Sequence, residues 1–231
     1  MTKFSKEKGF KYEHFDSDVA KYSEAYKTKR LDVYSVNNFN VPIDENMRVS
    51  HFIRDPRDLM VSGYHYHKWT GEAWCNDESI SYDHISHHHL FKKYIGGAEL
   101  WPLGVSYQEF INKVTKKQGL ILELIWRKSH FETMQSWDYS SSNVLLLKYE
   151  DVIDHEEEFF EILFNHYNFP KEWLSDFLKI VSKHSRKNAR LSEKSHTRNG
   201  SAKQWASEFD DDIQAEFNSF YPTLLNKTGY E

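Results

Sequence analysis

The chain has 231 residues, of which 39% are hydrophobic and 16% aromatic, so it has enough apolar material for a core and global disorder is not expected. It has a single cysteine, which excludes an internal disulfide, and its net charge of -5 argues against a broad nucleic-acid-binding surface. No run approaches the ~20 apolar residues of a membrane span, and the opening MTKFSKEKGF is charged where a signal peptide is apolar, so we predict a cytoplasmic chain that binds neither nucleic acid nor membrane.

Strand and helix signals alternate along the chain. A short helix over Thr2–Lys8, ended by Gly9, comes first. Strands are predicted at residues 10–15, 31–36, 49–53 and 143–149, the last with four apolar residues in a row. Helices are predicted at 58–66, from 106 to near Gly119, from Leu120 to Met134, and at 156–167, 171–183 and 210–226. The basic, polar stretch 185–204 is predicted to be a loop.

This alternation predicts an α/β layered domain with a mainly parallel sheet, spanning residues 1–231. Residues 68–104 are rich in glycine and tryptophan and are predicted to be an irregular, lid-like insertion on the acceptor side. Ligands of parallel sheets bind at the carboxyl ends of the strands. The segments directly after Ile53 and Leu147 are therefore where a site is expected.

Arg54 directly follows the strand over residues 49–53, and Ser62 lies eight positions further on, in the next helix. An arginine supplies charge-assisted, often bidentate hydrogen bonds to a phosphate, and a serine hydroxyl adds a neutral donor. The two side chains can therefore converge on one phosphate. A helix start with surface arginines is the alternative, and this segment taken alone fits both interpretations.

The same segment resembles a motif of PAPS-dependent sulfotransferases, Arg-(Asn/Asp)-Pro-(Arg/Lys)-Asp-x-x-Val-Ser-x-Tyr, which binds the 3′-phosphate of the sulfate donor PAPS (3′-phosphoadenylyl sulfate). The matching positions are Arg54, Pro56, Arg57, Asp58, Val61, Ser62 and Tyr64.

Two further matches follow in the same order. The segment Tyr149–Val152 resembles the family's Tyr-Glu-Asp-Leu step, whose tyrosine lies near the adenine of the donor. The segment Arg198–Phe209 is similar to the family's Arg-Lys-Gly-x-x-Gly-Asp-Trp-x-x-x-Phe loop, whose arginine and glycine close over the same 3′-phosphate. Glycine lets a backbone approach a phosphate closely. Asn199 stands where lysine is usual, and residues 202–204 depart from the Gly-Asp part.

The three matches together span most of the chain, and the resemblance implies a three-layer fold of the P-loop nucleotide-binding type. It also implies transfer of a sulfuryl group from PAPS, the co-substrate, to a hydroxyl or amine of a small-molecule or glycan acceptor, without a metal. The residues it implies at the donor are Arg54, Ser62, Tyr149, Arg198, Asn199 and Gly200.

Two parts of the family pattern have no counterpart here. The 5′-phosphosulfate is held in the family by a Gly/Ser/Thr-rich loop with a lysine or arginine, but Gly9 is the only glycine before Arg54 and fits a helix end. We therefore expect Met1–Lys8 to be the tail of the helix that follows this loop, in an N-terminally truncated chain. The family's general base has no match in residues 33–38, so the catalytic residues stay unassigned.

These gaps leave alternatives open. One is a catalytically incomplete relative that binds PAPS, its product adenosine 3′,5′-bisphosphate (PAP) or a protein partner without turnover; another is an unrelated α/β domain. Two aromatic sets also have two interpretations each. One set is a histidine tract, which could suggest a metal site; it comprises His84, His87, His88 and His89. The tract has no cysteine partners and no HExxH spacing, which favours the absence of a metal. Three tryptophans either line an acceptor pocket or pack a long loop: Trp69, Trp74 and Trp101.

Overall fold

The computed structural model describes residues 1–37, 39–185, 188 and 200–231. Within them the strands form two parallel pairs. Strand β1 (Tyr12–His14) pairs with β2 (Val33–Ser35), and β3 (Val49–Ile53) pairs with β4 (Val144–Lys148). The predicted α/β fold with parallel strands is thereby confirmed.

The described residues also form α-helices. In chain order they are α1 (Thr2–Lys8), α2 (Val19–Lys27), α3 (Pro56–His67), α4 (His88–Tyr94), α5 (Tyr107–Lys113), α6 (Lys116–Trp126), α7 (Lys128–Ser136), α8 (Tyr149–Val152), α9 (Glu156–His166), α10 (Leu174–His184), α11 (Trp205–Glu208), α12 (Asp211–Phe220) and α13 (Leu224–Thr228). Short 3-10 turns lie at Trp74–Asn76, Tyr82–His84, Ala98–Leu100 and Lys171–Trp173. No helix in the described ranges is long and apolar enough to cross a membrane.

The junction from β3 to α3 follows from its sequence. Asp55 is the N-cap and its side chain accepts a hydrogen bond from the backbone N–H of Arg57. Pro56 occupies the first helical position, where a missing N–H costs nothing. The helix then packs closely on α6, because Gly119 leaves room for the Tyr64 ring: a Cβ at position 119 would lie 2.4 Å from Tyr64 Cε2.

Three helix boundaries differ from the predictions. The helix that starts at Ser106 ends at Lys113, not near Gly119, because Thr115 and Gln118 form a second capping box that starts α6. The helix predicted from Leu120 to Met134 is broken at Arg127, which has a ψ of 10°. The last helix breaks at Tyr221, since the proline that follows disfavours helical geometry there.

Two further differences lie in segments for which no helix was predicted. Helix α2 was not predicted, although Asp18 caps it by accepting from the N–H of Lys21. Residues 68–104 contain α4 and three 3-10 turns, and they pack into the main core. Trp101 is fully buried and Trp74 stacks on Trp126 at 5.2 Å between ring centroids, so these two tryptophans serve packing.

A charged network lies inside this core. Glu123 of α6 is fully buried, and its Oε1 accepts hydrogen bonds from His67 Nδ1 at 2.6 Å and the Tyr107 hydroxyl at 2.7 Å. Arg127 Nε donates to Glu123 Oε2 at 3.0 Å. Burial alone would raise the pKa of Glu123, but His67, Arg127 and Tyr107 outweigh it and the pKa is lowered. Both carboxylate oxygens of Glu123 are therefore hydrogen-bonded.

Candidate functional site

Strands β3 and β4 end in register, with Ile53 opposite Lys148. The residues that follow them, Arg54 and Tyr149, therefore leave the same edge of the sheet side by side. The Arg54 guanidinium carbon lies 4.5 Å from the centroid of the Tyr149 ring, in a cation–π contact. Two residues that are 95 positions apart in sequence thus form one surface, as the rule on strand ends predicts.

The segment Gly200–Trp205 lies against this surface. The Tyr149 hydroxyl donates to the backbone carbonyl of Gly200 at 3.0 Å, and Arg54 Nη2 donates to that of Ser201 at 3.4 Å. Gly200 is buried and has a φ of 65°, which favours glycine. Of the loop residues expected at the donor, Gly200 joins Arg54 and Tyr149, while Arg198 and Asn199 lie outside the described residues.

Ser62 lies on α3, one turn beyond Asp58 and one turn before His65. Residues three and four positions apart share a helix face, so these three side chains point the same way. Asp58 bonds the backbone of residues 203 and 205, and His65 Nε2 lies 3.3 Å from Glu208 Oε1. Ser62 is half-buried and lies on the α3 face that meets the segment 200–208.

Asp58 is a site residue whose role the sequence did not reveal. Its side chain is fully buried, and it accepts hydrogen bonds from the backbone N–H of Lys203 at 2.8 Å and of Trp205 at 2.9 Å. Its Oδ2 lies 3.7 Å from Arg54 Nη2. Burial raises the pKa of Asp58, while the two N–H donors and Arg54 oppose the rise. The sequence signal that could have revealed this role is that Asp58 follows Arg54 by four residues.

The two arginines of the first motif differ in what they offer a ligand. Arg57 is committed to the fold, with a bidentate pair to Asp55 at 2.9 and 2.7 Å and its guanidinium carbon 3.8 Å from the Trp205 ring centroid. Arg54 Nε is buried and has no hydrogen-bond partner within the described ranges. A buried N–H without a partner costs about 1–3 kcal/mol, so this one is poised to bind an acceptor such as an anion.

Glu150 ties the back of the site together. Its Oε1 accepts from the backbone N–H of Asp55 at 3.0 Å, and its Oε2 accepts from the Tyr230 hydroxyl at 2.6 Å. Lys148 Nζ donates to the Gly229 carbonyl at 2.6 Å. Burial and the bond to Glu150 raise the pKa of the Tyr230 phenol. The start of α3, the end of β4 and residues 229–230 are therefore held as one unit.

The described histidines at positions 51, 65, 67, 84 and 88 do not supply an evident general base. His51 of β3 stacks on Tyr139, and burial lowers its pKa to about 4. His65 contacts Glu208, and His67 belongs to the Glu123 network. In the tract 84–89, His88 bonds the Tyr82 carbonyl and His84 completes a turn cap.

Comparisons with known proteins identify the family and the fold. The profile of the family described as "Sulfotransferase domain" matches residues 12–229. A search of curated proteins found no match. Among solved structures, the crystal structure of mouse sulfotransferase SULT7A1 complexed with PAP aligns with 93% of this chain and 75% of that one. The identity is 13% and the TM-score 0.51, so this likeness concerns the fold alone. Because the family profile covers nearly the whole sequence, the chain belongs to the sulfotransferase domain family.

Proposed function

We propose that this protein is a PAPS-dependent sulfotransferase that moves the sulfuryl group of PAPS to a hydroxyl or amine of a small-molecule or glycan acceptor. The observation that carries the proposal is the buried Nε of the half-buried Arg54 side chain, which lacks a partner within the described residues and lies beside Tyr149 and Gly200. The 3′-phosphate of the donor would take this N–H. In the reaction the acceptor loses a proton, its oxygen or nitrogen forms the new bond to sulfur, and PAP leaves.

The chemistry of the surrounding residues supports a nucleotide at this place. Arg54 offers a charge-assisted bond to a phosphate oxygen, which is about twice as strong as a neutral one. The Tyr149 ring provides a flat surface beside the guanidinium, which suits adenine. From the family motifs we assign Ser62 and Arg198 to the same phosphate, and we count Asn199 among the donor-binding residues. PAP is the ligand in the SULT7A1 complex, which has the same fold.

A second candidate function is nucleotide binding without turnover. Gly9, the only glycine before Arg54, has a φ of 78° and caps α1, so it does not belong to a phosphosulfate-binding loop. Backbone amides and a cation in such a loop stabilise the charge that builds up on the leaving oxygen. A chain without that loop would keep the 3′-phosphate site and lose the transfer step.

We expect the Arg54→Ala variant to bind PAP about 10- to 150-fold more weakly than the unaltered protein, because a hydrogen bond to a charged group contributes about 1.5–3 kcal/mol. Isothermal titration calorimetry measures this directly. Arg30→Ala is the matched control, since Arg30 is half-exposed and its ion pair among the described residues is with Glu13 at the surface. Equal affinities of the Arg54→Ala and Arg30→Ala variants would contradict the assignment.

Transfer from ³⁵S-labelled PAPS to a panel of phenols, alcohols, amines and glycans separates the two functions. A labelled product, lost in Arg54→Ala and kept in Arg30→Ala, would support the sulfotransferase. PAP binding without any labelled product on the panel would favour the second candidate. Absence of PAP binding would exclude both.

A further inference from the structure

We propose that Asp58 is a positioning residue of the donor site, which holds both the segment Gly200–Trp205 and Arg54 so that Arg54 Nε is presented to the 3′-phosphate. This inference rests on the proposed function and deepens it. Asp58 would not touch the nucleotide. It would act through the two elements that do.

The backbone contacts of Asp58 are the first part of the argument. Its Oδ2 accepts from the N–H of Lys203 and its Oδ1 from the N–H of Trp205, so both oxygens are used. Lys203 has a φ of 59°, a left-handed conformation that is uncommon for residues other than glycine and needs support from its surroundings. Asp58 supplies that support from α3. The turn that carries Gly200 toward Tyr149 is therefore held by this carboxylate.

The contact with Arg54 is the second part. Arg54 Nη2 lies between Asp58 Oδ2, at 3.7 Å, and the Ser201 carbonyl, at 3.4 Å. Both partners hold the same corner of the guanidinium, and the ring of Tyr149 covers one of its faces. The Nε edge is left without a partner in the described part of the chain. The guanidinium is thus oriented before a ligand arrives.

A carboxylate suits this role better than its neutral analogue. Asparagine offers one acceptor oxygen, and its amide nitrogen would face a second backbone N–H, so one donor would lose its partner. A buried anion next to a phosphate site would repel the ligand unless other groups offset its charge. The charge is compensated here because Arg54 and two N–H groups converge on it.

The test compares the unaltered chain with Asp58→Asn, Asp58→Glu and Tyr107→Phe. Tyr107→Phe is the control for a general loss of stability, because it removes a buried hydrogen bond to Glu123, outside the site. Two quantities are measured: amide hydrogen exchange over residues 200–208, and the ratio of dissociation constants for adenosine 5′-monophosphate and PAP, which differ by the 3′-phosphate.

For Asp58→Asn we expect amide exchange at Lys203 and Trp205 to be at least tenfold faster. We also expect the dissociation constant of adenosine 5′-monophosphate divided by that of PAP to fall at least tenfold. Asp58→Glu keeps the charge but moves its oxygens by one methylene, so it should fall between; it carries the test if Asp58→Asn does not fold. Tyr107→Phe should change neither quantity. Unchanged exchange in Asp58→Asn would overturn the inference whatever the affinities are. Faster exchange with an unchanged ratio of dissociation constants would also overturn it, because Asp58 would then have a structural role only. An unaltered chain without preference for PAP would instead contradict the proposed function.

Discussion

Replacement of Glu123 by alanine should lower the free energy of unfolding by about 3–5 kcal/mol, the range found when one partner of a buried charged pair is removed. Three donors converge on the Glu123 carboxylate: His67 Nδ1, the Tyr107 hydroxyl and Arg127 Nε. Without it, His67 and Tyr107 would be left buried without this acceptor, and the half-buried Arg127 would lose its carboxylate partner. Gly63 shows how tightly this place is packed, since a Cβ there would lie 2.3 Å from Glu123 Oε2.

Urea unfolding followed by tryptophan fluorescence measures this loss. Glu132→Ala is the matched control: the Glu132 side chain is 59% exposed and makes one pair with Lys128 at 3.8 Å. Exposed pairs of this kind contribute about 0–1 kcal/mol, so the control should unfold almost like the unaltered chain. A Glu123→Ala variant less than 1 kcal/mol below that control would show that the network is dispensable.

Acid should destabilise the protein well before its carboxylates titrate, because two half-buried histidines fold in their neutral form. Burial lowers the pKa of His51 to about 4, and burial with the nearby Arg127 lowers that of His130 to about 4. In the unfolded chain both have a pKa of about 6.5. Between these values the unfolded state binds more protons, so stability is full above pH 6.5 and falls as the pH drops toward 4. Each histidine then accounts for about 3 kcal/mol at pH 4.

The free energy of unfolding measured between pH 7.5 and 5 isolates this effect from most carboxylate titrations. In a His51→Asn, His130→Asn double variant, the free energy of unfolding should depend much less on pH in that window. His155→Gln should keep it, because the His155 side chain is 65% exposed. A slope that is equal in the unaltered chain and the double variant would assign the acid sensitivity to other groups.

Local signals in the sequence were sufficient for the parts of the fold that local chemistry decides. The strand ending at Ile53 and the helix starting at Pro56 follow from apolar pattern, cap and proline, and both lie within two residues of their predicted positions. The capping box at Thr115 and the cap at Asp18 carried the same kind of signal, but neither was used. One helix was predicted across Thr115, and no helix was predicted after Asp18.

One long-range feature followed from a general rule, and the others could not be derived from the sequence. That Arg54 and Tyr149 meet follows from the parallel pairing of β3 and β4, for which the rule on strand ends was enough. The pairing of Asp58 with the backbone of residues 203 and 205 depends on how a distant loop docks, which no local pattern encodes. The Glu123 network likewise joins three helices through side chains whose spacing resembles that of ordinary core and surface positions.

The central claim is that Arg54 presents a buried N–H, which has no partner among the described residues, to the phosphate on the 3′ position of the donor ribose. A crystal structure of the protein with adenosine 3′,5′-bisphosphate tests it most directly. The account predicts a 3′-phosphate oxygen about 2.7–2.9 Å from Arg54 Nε, with the adenine beside Tyr149. A nucleotide bound elsewhere, or one whose 3′-phosphate leaves Arg54 Nε without a partner, would contradict it.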